Sequence, residues 1–150
     1  MARNPKERAV SHPPLFSTFK PASIAGRKLE TITLELDEYE AIRLADYESL
    51  EHEEAAQTMG ISRSTFTRLV ERARKKVASM FVEGTKLTIN GGSIYFKENL
   101  YQCDACAHFF RATFTDEAKT CPECHSSMLI DFAKGFGHGK CRDGKTCDGF

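Results

Sequence analysis

Four of the six cysteines occur in two short pairs whose spacing suits a metal ion. The pairs are CDAC at residues 103–106 and CPEC at residues 121–124, and fourteen residues separate them. Two such pairs can present four thiolates to one tetrahedral ion, which in proteins of this size is commonly zinc. We therefore predict a structural zinc site whose four ligands leave no position for water: Cys103, Cys106, Cys121 and Cys124.

Two other chemistries use similar cysteine pairs. An iron site like that of rubredoxin has the same ligands, and a pair of redox disulfides is a third interpretation. Rubredoxin-like pairs usually have glycine directly after the second cysteine, whereas this chain has Ala107 and His125 at those places. This difference favours zinc over iron.

The remaining cysteines, Cys141 and Cys147, lie near His138 in a segment with five glycines among residues 133–150. They are candidates for a second metal or redox site, to which His108 or His125 could add a ligand. Free thiols on a mobile tail are the alternative interpretation.

A second pattern of interest is a cationic segment in a chain of zero net charge. Residues 60–76, GISRSTFTRLVERARKK, hold six Arg or Lys and one acid, whereas residues 30–54 hold ten acids and one base. Such segregation lets one surface carry a local positive field. Gly60 suits a helix end, Ile61 can anchor a turn and Ser62 can cap a new helix. The pattern predicts a helix-turn-helix whose second helix carries the bases.

A recognition helix in the major groove of double-stranded DNA presents its first residues to base edges and its later bases to phosphates. Arg63 and Arg68 could each bind a guanine through two hydrogen bonds. A merely solvated cationic face is the alternative, but the turn and the charge segregation together favour DNA binding. The predicted DNA-contacting residues are Arg63, Ser64, Thr65, Thr67, Arg68, Arg72, Arg74, Lys75 and Lys76.

Hydrophobic periodicity predicts which faces of these helices are buried. Apolar residues of the second helix recur at helical spacing and predict one buried face: Phe66, Leu69, Val70, Ala73, Val77, Met80 and Phe81. The acids before it are expected to form a solvated face without a catalytic role, because no His or Cys except His52 lies among them. Those acids are Glu38, Glu40, Asp46, Glu48, Glu51, Glu53 and Glu54.

The stretch LDEYEAIRLADYESLEHEEAAQTMGISRSTFTRLVERARKKVASMFVEGTKLTI resembles the core signature of a widespread family of small predicted DNA-binding proteins of bacteria and archaea. The helix-turn-helix of that family is similar to region 4 of sigma-70 factors. The resemblance covers roughly residues 15 to 92, and its most specific elements are DEYEAIRLAD, EEAAQTMGISRSTF and ARKKVA. It implies a sequence-specific DNA-binding role in transcription.

These observations predict a mainly α protein in which a three-helix, helix-turn-helix domain is joined by a small β hairpin to a zinc-ribbon module. The hairpin is expected from Leu87–Ile89 and Ile94–Phe96, on either side of a glycine-containing turn. The predicted domains are a basic arm with a short strand at 1–36, the helix-turn-helix at 37–83, a hairpin or linker at 84–99, the ribbon at 100–132 and a glycine-rich tail at 133–150.

The predicted function is a transcriptional regulator that binds double-stranded DNA as a homo-oligomer, with transcription machinery as a further partner. The alternative is a metal-responsive or redox protein whose function is carried out by the cysteine module. The sequence contains no nucleophile with an associated general base and no glycine-rich loop that could bind phosphate groups. An enzyme is therefore not expected. We expect a cytoplasmic location without membrane association, because the N-terminus has no apolar run behind its basic start.

Overall fold

The computed structural model describes residues 6–25, 28–115 and 119–136, and these residues form two compact units. The first contains the described residues up to Ala9 together with Phe16–Ile94. The second contains Val10–Leu15 and the described residues from Tyr95 onward. Strands β1 (Arg8–Val10) and β5 (Ile94–Phe96) pair with each other, and the chain passes from one unit to the other within them.

In the first unit, the strands that precede and follow the helical segment belong to one three-stranded sheet. Its strands are β2 (Thr18–Phe19), β3 (Thr31–Leu34) and β4 (Lys86–Ile89), in the order β2-β4-β3. β4 pairs antiparallel with β2 and parallel with β3, so that Leu34 lies opposite Ile89. Because parallel strands need a crossover connection, the helices form that connection.

Three helices follow β3: α1 (Leu36–Ile42), which continues as a π-helical turn (Arg43–Tyr47), α2 (His52–Met59) and α3 (Arg63–Glu83). α2 ends at Gly60, whose φ of 69° is a left-handed conformation that glycine adopts without strain. α3 begins after Ser62, whose hydroxyl accepts a hydrogen bond from the Thr65 amide over 3.2 Å. The helices share a core of fully or nearly fully buried side chains: Ala41, Leu44, Ala55, Ala56, Met59, Phe66, Leu69 and Val70.

The second unit is built on an antiparallel sheet of β6 (Asn99–Cys103), β7 (Phe109–Ala112) and β8 (Leu129–Asp131), followed by α4 (Phe132–Phe136). β6 is the central strand. The buried amide of Asn99 joins three segments, since it donates to Asp131 Oδ1 over 2.7 Å and accepts from the amides of Leu100 and Ala133. A buried amide with these three hydrogen bonds fixes the position of β8 and α4 against β6.

The prediction of a mainly α fold is wrong. The fold is mixed α/β: of the described residues, 37% are helical and 22% lie in strands, which form three sheets. The predicted hairpin is also wrong, because β4 pairs with β2 and β3 whereas β5 pairs with β1. Three of the strands lie in the segment before α1, where strands of two to four residues carry too few positions for a readable alternation.

Two predictions about side-chain burial are also corrected. Glu38 and Glu40 are buried, although they were expected on a solvated face, because basic side chains pair with them inside the unit. Phe81 was expected on the buried face of α3 but is 76% exposed. The fully buried residues of α3 end at Ala73, since the helix continues beyond the elements that cover its first half.

Candidate metal centre and cationic helix surface

The four cysteines of the predicted metal site lie together in the second unit. Cys103 ends β6, and Cys106 follows in the turn that leads to β7. Cys121 and Cys124 lie in the connection between β7 and β8. Each pair therefore occupies a turn at the same end of the sheet, which allows residues distant in sequence to meet.

The two cysteine turns have the same backbone hydrogen bonds. The amides of Cys103 and Cys121 donate to the carbonyls of His108 and Ser126, and both bonds are 2.9 Å long. The amides of Ala107 and His125 donate back to the carbonyls of the first cysteines, again over 2.9 Å. The second half of the module thus repeats the geometry of the first.

Ala107 and His125, the residues after each pair, adopt left-handed conformations with φ of 62° and 61°. This conformation costs a non-glycine residue roughly 1–2 kcal/mol. The chain adopts this left-handed conformation at the equivalent position of both turns. We therefore associate the backbone strain with the turn geometry that holds the two sulfur atoms of each pair.

The sulfur atoms form a compact cluster of free thiols. All four lie within 4.8 Å of one another, and the closest pairs, Cys103 with Cys124 and Cys106 with Cys121, are 3.5 Å apart. A tetrahedral zinc ion with bonds of about 2.3 Å separates its sulfur ligands by about 3.8 Å. The observed cluster therefore fits a tetrahedral ion, and its separations are too long for disulfide bonds.

Hydrogen bonding gives the cysteine thiols different pKa values. The backbone amide of Cys106 lowers the pKa of Cys103 to about 7, against the opposing effect of burial. For Cys106 the amide of His108 acts in the lowering direction, but burial and the thiol contacts raise its pKa to about 12. Thiolates repel one another, so ionisation of one member of a close pair opposes ionisation of the other. A divalent cation would displace the thiol protons and offset part of the charge on the four sulfur atoms.

The N-terminal part of α3 presents a polar, cationic surface. Arg63, Ser64, Thr67 and Arg68 line an open concavity of about 360 Å³. Arg63, Ser64 and Arg68 are exposed, whereas Thr67 is half-buried and its hydroxyl lies 3.0 Å from Nδ1 of His52. Four side chains predicted to contact DNA are therefore neighbours on one surface.

The remaining predicted DNA-contacting residues differ in their surroundings. Arg72 and Lys75 are exposed, and the Thr65 hydroxyl accepts a hydrogen bond from Ser62 over 2.8 Å. Arg74 instead binds the carboxylate of Asp46 through two hydrogen bonds of 2.7 and 3.1 Å. This pairing lowers the pKa of Asp46, chiefly through the hydrogen bond from Arg74.

Lys76 is directed into its own unit. Its ammonium group donates to Glu38 Oε1 over 2.8 Å and to the carbonyl oxygen of Thr33 over 2.9 Å. Burial nevertheless raises the pKa of Glu38, whose other oxygen, Oε2, is buried without a hydrogen-bond partner. Lys76 is thus engaged in supporting the fold.

Sequence reasoning missed the buried acids of α1 and their partners. Arg8 Nη1 donates to Asp37 over 2.6 Å, and Arg43 binds Glu40 through two hydrogen bonds of 2.8 Å. The Arg43 pairing could have been found from its three-residue spacing, which places both side chains on one helix face. No local signal connects Arg8 with Asp37.

His138, Cys141 and Cys147, the predicted second metal or redox site, lie outside the described residues. Within the described ranges, no helix is both long enough and apolar enough to span a membrane.

The structure thus defines a small two-unit protein with a four-cysteine candidate metal centre. The family described as "Protein of unknown function DUF134" matches residues 1–97, and the chain belongs to this family. A "UPF0251 protein" of Chloroherpeton thalassium is 46% identical over 138 residues, which cover 90% of this chain and 91% of that protein. A "UPF0251 protein" of Moorella thermoacetica is 38% identical over 150 residues, 99% of each chain. No solved structure matches.

Proposed function

We propose that the chain is a sequence-specific DNA-binding protein and transcriptional regulator, in which α2, the turn at Gly60 and α3 form a helix-turn-helix. The observation that carries this proposal is the surface of Arg63, Ser64, Thr67 and Arg68 at the start of α3. In helix-turn-helix proteins this part of the second helix contacts base edges. Arginine and hydroxyl side chains provide the donors that such contacts require.

Exposure and ion pairing support a division of roles among these residues in the proposal. Arg63 and Arg68 are exposed and suited to base contacts, while Arg72 and Lys75 are exposed and suited to phosphates. Arg74 and Lys76, by contrast, neutralise Asp46 and Glu38. We therefore assign these two residues a structural role within the proposed DNA-binding unit.

The four cysteines would hold a structural zinc ion in this proposal. A site with four protein ligands leaves no position for a substrate or water, so the ion would fold the second unit without catalysing a reaction. The proposal includes a homo-oligomer that acts in the cytoplasm on double-stranded DNA and has no enzymatic activity.

The test selects a DNA site from a random duplex library with the full chain and then compares variants on the selected and scrambled duplexes. Arg63→Ala and Arg68→Ala should each weaken binding to the selected site by about 1–3 kcal/mol and relax preference at one base pair. Glu53→Ala, a change at an exposed acid of α2, is the matched control and should keep the preference. If no sequence is enriched, or if both arginine variants keep the parent's selectivity, α3 is not the reading helix.

A further inference from the structure

His52, the first residue of α2, contacts two side chains of α3. Its ring meets the ring of Phe66 in a T-shaped arrangement, with the centroids 5.2 Å apart and the planes at 70°. Its Nδ1 lies 3.0 Å from the hydroxyl oxygen of Thr67. Phe66 is fully buried, so the imidazole packs on a side chain that the core keeps in place. The position of Nδ1 is therefore determined by packing as well as by its hydrogen bond.

The hydroxyl that contacts His52 belongs to the surface proposed to bind DNA. Thr67 lines the concavity at the start of α3 together with Arg63, Ser64 and Arg68. A threonine in a helix divides between two side-chain rotamers, because its hydroxyl can also bind a carbonyl of the preceding turn. The hydrogen bond with His52 favours one of them. A side chain already held in one rotamer loses less conformational entropy on binding, so the contact preorganises Thr67.

The contact with His52 leaves the Thr67 hydroxyl able to bind a second partner. A hydroxyl has one donor hydrogen and two acceptor lone pairs, and a bond to a histidine nitrogen uses one of these three. Threonine hydroxyls can hydrogen-bond base edges in the major groove. Because the threonine side chain is short, the backbone and the rotamer together decide which base edge the hydroxyl reaches.

We propose that His52 is a positioning residue for base recognition, and that the Thr67 hydroxyl it holds reads one base pair beside those read by Arg63 and Arg68. The inference rests on the proposed function, because it requires α3 to be the reading helix. It adds a residue of α2 to the determinants of sequence preference, since His52 acts on the base through Thr67. The alternative explanation of the same contact is that His52 only packs α2 against α3.

Two substitutions of His52 separate hydrogen bonding from packing. His52→Phe keeps an aromatic ring beside Phe66 but has no atom that can bond the Thr67 hydroxyl. His52→Asn removes the ring but keeps a polar atom as many bonds from the backbone as Nδ1. A positioning role therefore predicts that the asparagine variant keeps the base preference and the phenylalanine variant loses it, whereas a packing role predicts the reverse.

The experiment measures binding of the full chain to the duplex selected from the random library and to duplexes that differ from it at one base pair. Thr67→Val should reduce the preference at one base pair by about two- to tenfold, the effect of one hydrogen bond. His52→Phe should reduce the preference at the same base pair, and the double variant should lose no more than either single variant. His52→Asn should keep most of the parent's preference. Circular dichroism melting checks that each variant is folded.

The outcomes distinguish failure of this inference from failure of the proposed function. The inference alone fails if Arg63→Ala and Arg68→Ala relax the preference while His52→Phe or Thr67→Val leaves it unchanged. It also fails if these two variants act at different base pairs, or if His52→Asn loses the preference that His52→Phe keeps. If no sequence is enriched, the proposed function fails and the inference fails with it.

Discussion

The ammonium group of Lys76 on α3 lies 2.8 Å from Oε1 of Glu38 on α1. The carboxylate is almost fully buried, whereas the lysine side chain is one-third exposed. This pair joins the first and third helices, and it removes one positive charge from the surface that the sequence assigned to DNA. The position of Lys76 therefore predicts an effect on stability.

Replacing Lys76 by alanine should destabilise the first unit by about 1–3 kcal/mol, because Glu38 would be left buried without its partner. Urea unfolding followed by circular dichroism measures the change. Lys75→Ala is the matched control: it should alter stability by no more than about 0.5 kcal/mol, while lowering the salt dependence of DNA binding by about one unit of slope. Equal stability of the two variants would contradict the importance of the Lys76–Glu38 pair.

Replacing Glu38 by glutamine should change how stability depends on pH. Burial raises the pKa of Glu38 above 4.5, so the native carboxyl binds a proton that the unfolded chain releases. Stability from this group is present below pH 4.5 and is lost as the pH rises through the native pKa. The free energy of unfolding of Glu38→Gln minus that of the parent should therefore increase from pH 4.5 to 7. Glu51→Gln, at an exposed position, should show little such trend.

Removing the metal should unfold the cysteine module and leave the helices largely intact, because the small sheet of β6, β7 and β8 would lose the ion at its end. The purified chain should contain about one zinc ion per cysteine cluster and have no visible colour. Cys103→Ser and Cys121→Ser should lose the ion, whereas Ser127→Ala should retain it. An iron-thiolate absorption spectrum would favour the rubredoxin-like alternative, and a folded module without metal would contradict both.

Replacing Gly60 by alanine should destabilise the helical unit by about 1 kcal/mol, because φ at this position is 69°. The Cβ atom would meet no neighbour within 4 Å, so the cost arises from backbone strain alone. Gly135→Ala provides the comparison, since that glycine also has open space but no left-handed φ. A Gly60 variant as stable as the parent would show that the turn relaxes to another conformation.

The features that the sequence predicted well depend on short spacings. The cysteine pairs converge because each pair lies within one turn, and the cluster of four is confirmed by the sulfur distances. The end of α2 at Gly60 and the cap at Ser62 are likewise confirmed, because both follow from the conformational or hydrogen-bonding preference of a single residue. The identity of the ion and the binding of DNA stay predictions.

The features that the sequence could not predict depend on partners far apart in the chain. Thr18 lies opposite Thr88 in a strand of only two residues, and Arg8 pairs with Asp37 across 29 positions. Neither relationship leaves a periodic pattern, so the sequence predicts only a basic arm with one short strand before α1. Buried acids were similarly interpreted as solvated, since composition does not indicate which acid has a distant base beside it.

The parallel pairing of β3 with β4 has a consequence for the order of folding. Residues 35–85 form a closed loop between these strands, and the loop must close before Thr31 can pair with Lys86. Helices depend on near neighbours and form within about a microsecond, whereas contacts across a long loop carry a closure entropy and form more slowly. We therefore expect nascent helices to precede this sheet during refolding, so that the register of β4 becomes fixed late.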